Sequence, residues 1–243
     1  MQGSGSNTLG PSFCVTCPNR LSGICGTILG PHDATAKQTE KTPRFFPVRA
    51  GGQIAGRNQA IKDVFVLCTG WAFRFVQLSD GRRQIVQFLL PGDMLCPEAV
   101  FEQRYIFSVA ALTNVMVGGF SHAGICERHM VDSALQSAIS RCSIAATRDA
   151  TELAAVLGQC SAEERIAHLV LHLVPRIAAR NVIREHCYPF PLRQQHVADA
   201  VGLTPVHVSR VFGLLRERGV VSISDGVLRV TDMTELERLG SLN

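Results

Sequence analysis

The sequence lacks any apolar stretch close to the roughly 20 residues that a membrane-spanning helix needs. Residues 1–13 have neither a basic start nor an apolar core, so they resemble neither a signal peptide nor a transit peptide. Residues 45–120 lack the clustered His and carboxylate ligands that a cupin-like metalloenzyme requires. These absences predict a soluble protein that stays in the cytoplasm and is not an enzyme.

Lysine is scarce, since the 24 basic residues comprise 21 Arg and three Lys. Arginine suits bidentate contact with phosphate or guanine, although a GC-rich genome would produce the same bias. The net charge of +4 permits an anionic partner without demonstrating one. The 243 residues suffice for two compact domains, because single domains usually contain about 100–200 residues.

Residues 45–120 show a pattern of short strands separated by turn residues. In the clearest hairpin, an alternating aromatic strand runs to Leu78, Asp80-Gly81 supplies the positive φ angles of a tight turn, and residues 82–90 return. Pro91 ends the second strand, because proline cannot donate to the ladder. The segment therefore predicts an all-β domain.

A long helical run begins near Val131 and meets no Pro or Gly until Gly158. Positions alternately four and three residues apart have the spacing of a two-stranded coiled-coil seam. The predicted seam consists of Leu135, Ile139, Cys142, Ala146, Asp149, Leu153 and Val156. The alternative is a helix that packs on its own β domain.

A second domain is expected to begin at Ser161, which has the spacing of a capping box with Glu164. His168 and His172 follow on the same helix, and we expect them on its surface and not as metal ligands.

The strongest local signal is a helix-turn-helix that begins at Arg193. Gly202 supplies a left-handed residue that ends the first helix, and Thr204 is a good N-cap for the second. Pro205 falls at the first position of that second helix, where a missing N–H costs nothing. Asp225-Gly226 then joins two short strands, which completes a winged helix whose wing normally lies along the phosphate backbone.

Four residues near the start of the second helix face outward and are predicted to contact DNA: Val206, His207, Ser209 and Arg210. Arg210 is the natural bidentate partner for guanine. The alternative is a two-helix corner in an ordinary helical domain, where the same side chains would be merely solvated.

Residues 45–235 resemble the CRP/FNR family of bacterial transcription regulators. The motifs that carry the resemblance are Gly70-Trp71, Asp80-Gly81-Arg82-Arg83-Gln84-Ile85, Leu90-Pro91-Gly92-Asp93, Ala162-Glu-Glu-Arg165 and Gly202-Leu-Thr-Pro-Val-His-Val-Ser-Arg210. The resemblance implies an α+β fold with a jelly-roll-like β-roll sensor domain, a long dimerisation helix and a C-terminal winged helix-turn-helix. It also implies a homodimer, a palindromic DNA site, and activation or repression by contact with RNA polymerase. The predicted divisions are a cysteine-containing arm (1–44), the β-roll (45–120), the dimerisation helix (121–160) and the DNA-binding domain (161–243).

The Gly/Pro-rich arm contains Cys14-x2-Cys17-x7-Cys25 and resembles the FNR branch. In that branch such an arm and one distant cysteine hold an oxygen-labile [4Fe-4S] cluster. Thiolates separated by two residues on a flexible loop can reach neighbouring corners of one cluster. Zinc also favours this spacing, with His32 or a further cysteine as the fourth ligand, and redox-active thiols are another alternative. The leading hypothesis is a regulator that responds to oxygen or redox state through the cluster.

The chain departs from the FNR pattern at the fourth ligand. The distant cysteine of that branch follows a stretch matched here by residues 111–117, but the next residues are Gly118 and Gly119. The predicted substitute is Cys96, because a loop cysteine can reach the arm more readily than one in a strand or helix. Cys126 and a non-protein ligand are the alternatives.

Three other cysteines are assigned to packing: Cys68 to the core, and Cys142 and Cys160 to the dimer seam.

The recognition helix also departs from the FNR branch, which has a base-reading glutamate where this chain has Val206. Arg104-Tyr105 does not match the Arg-Ser pair with which CRP proteins bind the phosphate of a cyclic nucleotide, so that effector is the weaker candidate.

Overall fold

The computed structural model describes residues 17, 24–29, 43–180, 183 and 185–242. Seven strands form the N-terminal β domain: β1 (Arg44–Val48), β2 (Gln53–Ala55), β3 (Asp63–Thr69), β4 (Ala72–Gln77), β5 (Arg83–Leu89), β6 (Ser108–Ala111) and β7 (Val115–Ser121). They make two antiparallel sheets, ordered β1-β7-β3 and β2-β6-β4-β5. Leu67, Leu89 and Val117 are buried in one apolar cluster between them. The predicted β-roll is confirmed.

The β4–β5 hairpin has a longer connection than the sequence predicts. Leu78 donates its N–H to Arg82 O at 2.7 Å, so the loop spans residues 78–82. Only Gly81 of the Asp80-Gly81 pair has a positive φ, at 87°. The Asp80 carboxylate instead accepts hydrogen bonds from the backbone N–H and the guanidinium of Arg82, which stabilise the loop.

Outside the strands, the described residues up to position 180 form four α-helices: α1 (Ile24–Leu29), α2 (His122–Val131), α3 (Ser133–Gln159) and α4 (Ala162–Ala178). The Asp132 side chain caps α3 by accepting from the N–H groups of Ala134 and Leu135. The capping box of Ser161 and Glu164 is confirmed at the start of α4, with both reciprocal hydrogen bonds present.

The predicted dimer seam on α3 is wrong in register. Leu135, Ile139 and Val156 are at most 1% exposed within the single chain. Leu135 and Ile139 pack with the β-roll, as does the half-buried Cys142. The alternative reading, a helix that packs on its own β domain, therefore describes this face. Hydrophobic spacing alone could not decide between a neighbour from the same chain and a neighbour from a second copy.

The opposite face of α3 has its own heptad-spaced stripe. Its exposed members are Ser140, Ile144, Thr147, Thr151, Ala154 and Gly158, alternately four and three residues apart. The hydroxyls of Thr147 and Thr151 donate to carbonyl groups one turn earlier, so their polar groups are satisfied within the helix. We call these six residues the exposed α3 stripe.

The C-terminal domain contains β8 (Cys187–Pro189), α5 (Gln194–Val201), α6 (Pro205–Glu217), β9 (Val221–Ser224), β10 (Val227–Val230) and α7 (Met233–Gly240). Its sheet has the order β8-β10-β9. Phe190, Leu215 and Leu228 are buried in one cluster with the apolar face of α4. The predicted α+β class is confirmed, and none of the helices in the described part of the chain is long and apolar enough to cross a membrane.

Candidate nucleic-acid interface and cysteine arm

The turn between α5 and α6 is built as its sequence predicts. Gly202 adopts φ 66° and ψ 38°, a left-handed conformation that ends α5. The Thr204 hydroxyl accepts a hydrogen bond from His207 N–H at 3.2 Å, and Pro205 occupies the first helical position. Local turn chemistry therefore fixes where α6 begins and which residues its first turn presents.

The first two turns of α6 present the predicted contact residues to solvent. Val206 is 72% exposed, while His207, Ser209 and Arg210 are also exposed. On the opposite face, Val208 and Val211 are buried against the domain core. Among the residues that the structure describes, no ion pair or side-chain hydrogen bond engages the Arg210 guanidinium, so it can reach an external acceptor.

Strands β9 and β10 form the predicted wing. Asp225 and Gly226 have φ angles of 51° and 73°, as a two-residue hairpin turn requires. Arg229 on β10 is exposed and adds a positive charge to this sheet. A wing of this kind is suited to the phosphate backbone, next to a helix that reads bases.

We expect Thr204→Ala to destabilise the protein by about 1 kcal/mol, because it removes the hydrogen-bonding cap of α6. Denaturant titration monitored by circular dichroism measures the loss. Thr204→Ser is the matched control, since it keeps the accepting hydroxyl and should retain most of the stability. Equal stabilities for the Ala and Ser variants would contradict the capping role.

The winged domain is attached to the β-roll of its own chain by charged contacts. Arg83 on β5 pairs with Asp199 on α5 at 2.5 Å. From α4, Arg176 and Arg180 both bind Asp93, with N–O distances of 2.7 and 2.5 Å. The Leu-Pro-Gly-Asp motif thus ends a strand and also binds the DNA-binding domain, so the roll fixes the orientation of α6.

A second junction joins α3 to α4 and was missed by the sequence analysis. His172 Nε2 lies 3.7 Å from Asp149 Oδ2, and Gln87 donates to the same carboxylate oxygen at 2.8 Å. Burial, followed by the nearby charge of Arg176, lowers the pKa of His172. The prediction that His172 lies on the surface is wrong, because its side chain packs against Asp149. The two residues are 23 positions apart in the sequence, so only the packing of α4 on α3 shows the contact.

The same junction contains a possible metal-ligand group within the described ranges, in which ligand atoms of Asp149, Glu152 and His172 lie within 4.8 Å of one another. Arg176 Nη1 is 3.2 Å from the His172 ring, and Arg148 lies 3.9 Å from Asp149. Arg148 also lies 3.9 Å from Glu152, so one cationic side chain is close to both carboxylates, and the group forms a polar network between α3 and α4.

The cysteine arm is described only in part. Cys14 lies outside the described residues, and Cys17 is half-buried. Cys25 lies on α1 and packs against an apolar cluster that includes Val64 and Phe120 of the roll. The structure thus brings one of the three arm cysteines onto the surface of the β-roll.

Cys96 lies on the opposite side of that sheet. It is 3% exposed and packs in the roll interior with Leu67 and Val117, immediately before a 3-10 turn at Pro97–Val100. Burial, followed by the charge of Glu98, raises the pKa of the Cys96 thiol well above its usual range. The reasoning that assigned Cys96 as fourth ligand required an accessible loop residue, and the structure does not supply one.

The other candidate cysteines occupy different environments. Cys126 on α2 has its Sγ 3.3 Å from both Val100 O and His122 Nε2, and burial raises the pKa of its thiol. Cys142 packs on its own roll, so its assignment to a dimer seam is wrong. Cys68 is only half-buried, which contradicts its assignment to the core.

Comparison with known proteins identifies the chain's family. Residues 46–126 match a cyclic nucleotide-binding domain, and residues 164–239 match a Crp-like helix-turn-helix domain. The chain is 32% identical to the transcriptional activatory protein AadR of Rhodopseudomonas palustris, over 94% of this chain and 93% of that protein. The chain belongs to the CRP/FNR family.

Two further CRP/FNR proteins show how far the similarity extends. The nitrogen fixation regulation protein FixK of Bradyrhizobium diazoefficiens is 28% identical over 94% of both chains. The structure of FixK2 from Bradyrhizobium japonicum has the same fold, with a TM-score of 0.75, 22% identity, and coverage of 83% of this chain and 98% of that one. CRP/FNR members are dimeric transcription regulators and not enzymes, so this chain is a DNA-binding transcription regulator.

The CRP/FNR β-roll matches a nucleotide-binding domain, but the charged groups near its cleft are already paired. Arg104 donates to Asn58 O at 2.6 Å on the surface, and the Tyr105 hydroxyl donates to Asp63 O at 2.6 Å. In the cleft between the roll and α3, Arg74 is 4% exposed and pairs with Glu98 at 3.2 Å. The two terminal nitrogens of Arg74 are therefore bound to Glu98 and Gln87, whereas its buried Nε has no hydrogen-bond partner among the described residues.

Proposed function

We propose that this regulator binds a palindromic operator as a homodimer and responds to oxygen or redox state through a [4Fe-4S] cluster in its N-terminal arm. The observation that carries the proposal is the packing of the cysteine-bearing helix α1 directly against α3. The helix that carries Cys25, one of the proposed sensing residues, is therefore in contact with the proposed dimer helix.

The exposed α3 stripe supports the homodimer. Its heptad spacing suits a two-stranded contact. Ile144, at 68% exposure, is its large apolar side chain, and the small residues of the stripe permit close approach of two helices. A symmetric dimer presents two copies of α6, which is why a palindromic site is expected.

The contact between α1 and α3 supports a mechanical link from the arm to the dimer. Ile24 and Ile28 are at most 2% exposed and pack in one cluster with Leu135 and Ile139 of α3. Arg128 on α2 donates to Ile28 O at 2.7 Å, which holds the end of α1. A change in the position of α1 would therefore be transmitted to the helix that carries the exposed stripe.

Cysteine thiolates are the preferred ligands of an iron-sulfur cluster, and the described arm cysteines Cys17 and Cys25 are half-buried. Cys14, Cys17 and Cys25 would hold the cluster. Cys96, the fourth ligand expected from the sequence, is buried inside the roll and does not fit that role. When bound, the cluster would supply sensitivity to oxygen. The alternative is a zinc or thiol-redox switch at the same residues.

Other parts of the proposal follow from family membership. The dimer on its operator would regulate transcription by contact with RNA polymerase, and the similarity to AadR, a transcriptional activatory protein, favours activation. The proposed place of action is the cytoplasm, where DNA and polymerase are available.

Anaerobic assembly of the full-length protein with iron and sulfide tests the sensor. We expect a brown protein that absorbs at roughly 400 nm, bleaches in air and loses affinity for its operator as it bleaches. Cys25→Ala should abolish the colour, whereas Cys187→Ala, in the distant winged domain, should retain it. A colourless protein without iron after assembly contradicts the cluster, and stoichiometric zinc would support the alternative.

A further inference from the structure

We propose that Cys68 supplies the fourth thiolate of the cluster, in place of the cysteine that the FNR branch has where this chain has Gly118. The inference rests on the proposed function, because it assigns a ligand to that cluster. It replaces Cys96, which the sequence favoured, with Cys68 on β3, the strand that pairs with β7 and its Gly118.

Position 118 lies on the face of the β1-β7-β3 sheet that points away from the roll interior. Gly118 on β7 is paired with Val66 on β3, and Phe120 is paired with Val64. Val64, Val66 and Phe120 are all buried in the apolar cluster outside the roll. Directly opposed residues in an antiparallel pair share a face, so a side chain at position 118 would point toward that cluster.

Cys68 lies beside this position. It falls at the irregularity in β3 between Leu67 and Thr69, where one residue has no direct partner on β7. A Cβ atom at Gly118 would lie 3.3 Å from the Cys68 sulfur. The sulfur therefore lies next to the place that a cysteine side chain at position 118 would take.

The arm reaches the same face of the sheet. Ile24 and Ile28 of α1 pack in one cluster with Val64 and Val66, and Cys25 packs against that cluster. At the end of the arm, Pro43 Cβ would lie 3.5 Å from a Cβ at Gly118. Helix α1 and Pro43 thus both meet the sheet face on which Cys68 lies.

The other cysteines are less suitable. Cys96 packs on the opposite side of the sheet, so a cluster bound to it and to Cys25 would have to pass through β3 and β7. Cys126 is on the arm side, but it lies on α2 and is not among the atoms nearest to a Cβ at Gly118, and its sulfur lies 3.3 Å from both a carbonyl oxygen and an imidazole nitrogen. The sulfur of half-buried Cys68 is the nearest atom to that Cβ. Ligation would replace its 3.8 Å contact with Val66 O and remove the thiol proton.

The test compares Cys68→Ala, Cys96→Ala and Cys126→Ala in the full-length protein after anaerobic assembly. Iron, sulfide and absorbance at roughly 400 nm are measured, with dimer mass and melting temperature as controls for folding. We expect Cys68→Ala to lose at least about half of the wild-type iron and sulfide, because three thiolates hold the cluster less firmly. The other two variants should retain wild-type amounts.

A rescue variant separates ligation from packing. In Cys68→Ala/Gly118→Cys, the thiol returns on the adjacent strand at the position used by the FNR branch, and removal of the Cys68 sulfur makes room for it. We expect iron and sulfide to recover toward wild-type values. The matched control is Cys68→Ala/Gly118→Ser, which fills the same space without a thiolate and should remain as poor in iron and sulfide as Cys68→Ala.

The outcomes distinguish this inference from the proposed function. If the wild type takes up no iron and sulfide, both are overturned. If the wild type takes up the cluster and Cys68→Ala keeps full occupancy, the cluster remains and the assignment of Cys68 is overturned. Loss of the cluster in Cys96→Ala alone would restore Cys96 as the fourth ligand.

Discussion

Ile144→Glu is expected to convert the protein into a monomer and to abolish detectable operator binding. Burial of an isoleucine side chain contributes about 1.5–3 kcal/mol, and a two-fold contact would lose two of them while placing two carboxylates close together. The dimer dissociation constant should rise by roughly 100-fold or more. Sedimentation equilibrium measures the association, and gel-shift titration measures the binding of DNA.

Leu78→Glu is the matched control, because Leu78 is also an exposed apolar residue, at 43%, but lies on the β4–β5 loop. It should leave the dimer intact. Leu135→Ala provides the contrast with the predicted seam, since its buried side chain should affect stability to unfolding and not association. A monomeric Leu135→Ala protein together with a dimeric Ile144→Glu protein would show that the original seam register is right.

Arg210→Ala should weaken binding at the operator by about 1–3 kcal/mol in each half-site and relax the preference for guanine there. The side chain is exposed in the second turn of α6 and has no described ion-pair partner, so its removal should leave the fold unchanged. Fluorescence anisotropy with the operator and with a duplex substituted at that guanine measures both effects.

Arg210→Lys separates charge from geometry. Lysine keeps the positive charge but lacks the planar fork that donates two hydrogen bonds to guanine. We therefore expect this variant to retain the salt dependence of binding while losing most of the discrimination. If Arg210→Ala weakens operator and substituted duplex equally, Arg210 contacts phosphate and the base-reading assignment fails.

A continuous series of side-chain contacts runs from α1 to the winged domain. Helix α1 packs on α3, α3 joins α4 through Asp149 and His172, and α4 binds Asp93 of the roll through two arginines. Under the proposed function, a movement of α1 on loss of the cluster would reach α4 through these contacts. Helix α4 packs with the buried face of α6 in the core of the winged domain.

The helix-turn-helix could be predicted residue by residue because its determinants are local. The left-handed Gly202, the Thr204 cap and Pro205 act within one turn of the chain, so composition and spacing suffice. The capping box at Ser161 is predictable for the same reason. The all-β first domain followed from turn residues, and its β-roll class from the resemblance of the longer motifs, whereas the order of the strands came only from the structure.

Sequence patterns sufficed for the resemblance to the CRP/FNR family, the α+β class, the winged helix and the side of α6 that faces outward. Three features emerged only from the three-dimensional packing: which stripe of α3 is exposed, the burial of Cys96 inside the roll, and the position of Cys68 beside Gly118. Each of these depends on contacts between residues far apart in the chain. A periodic pattern shows that a face is apolar, but the identity of the surface that covers it is settled by packing.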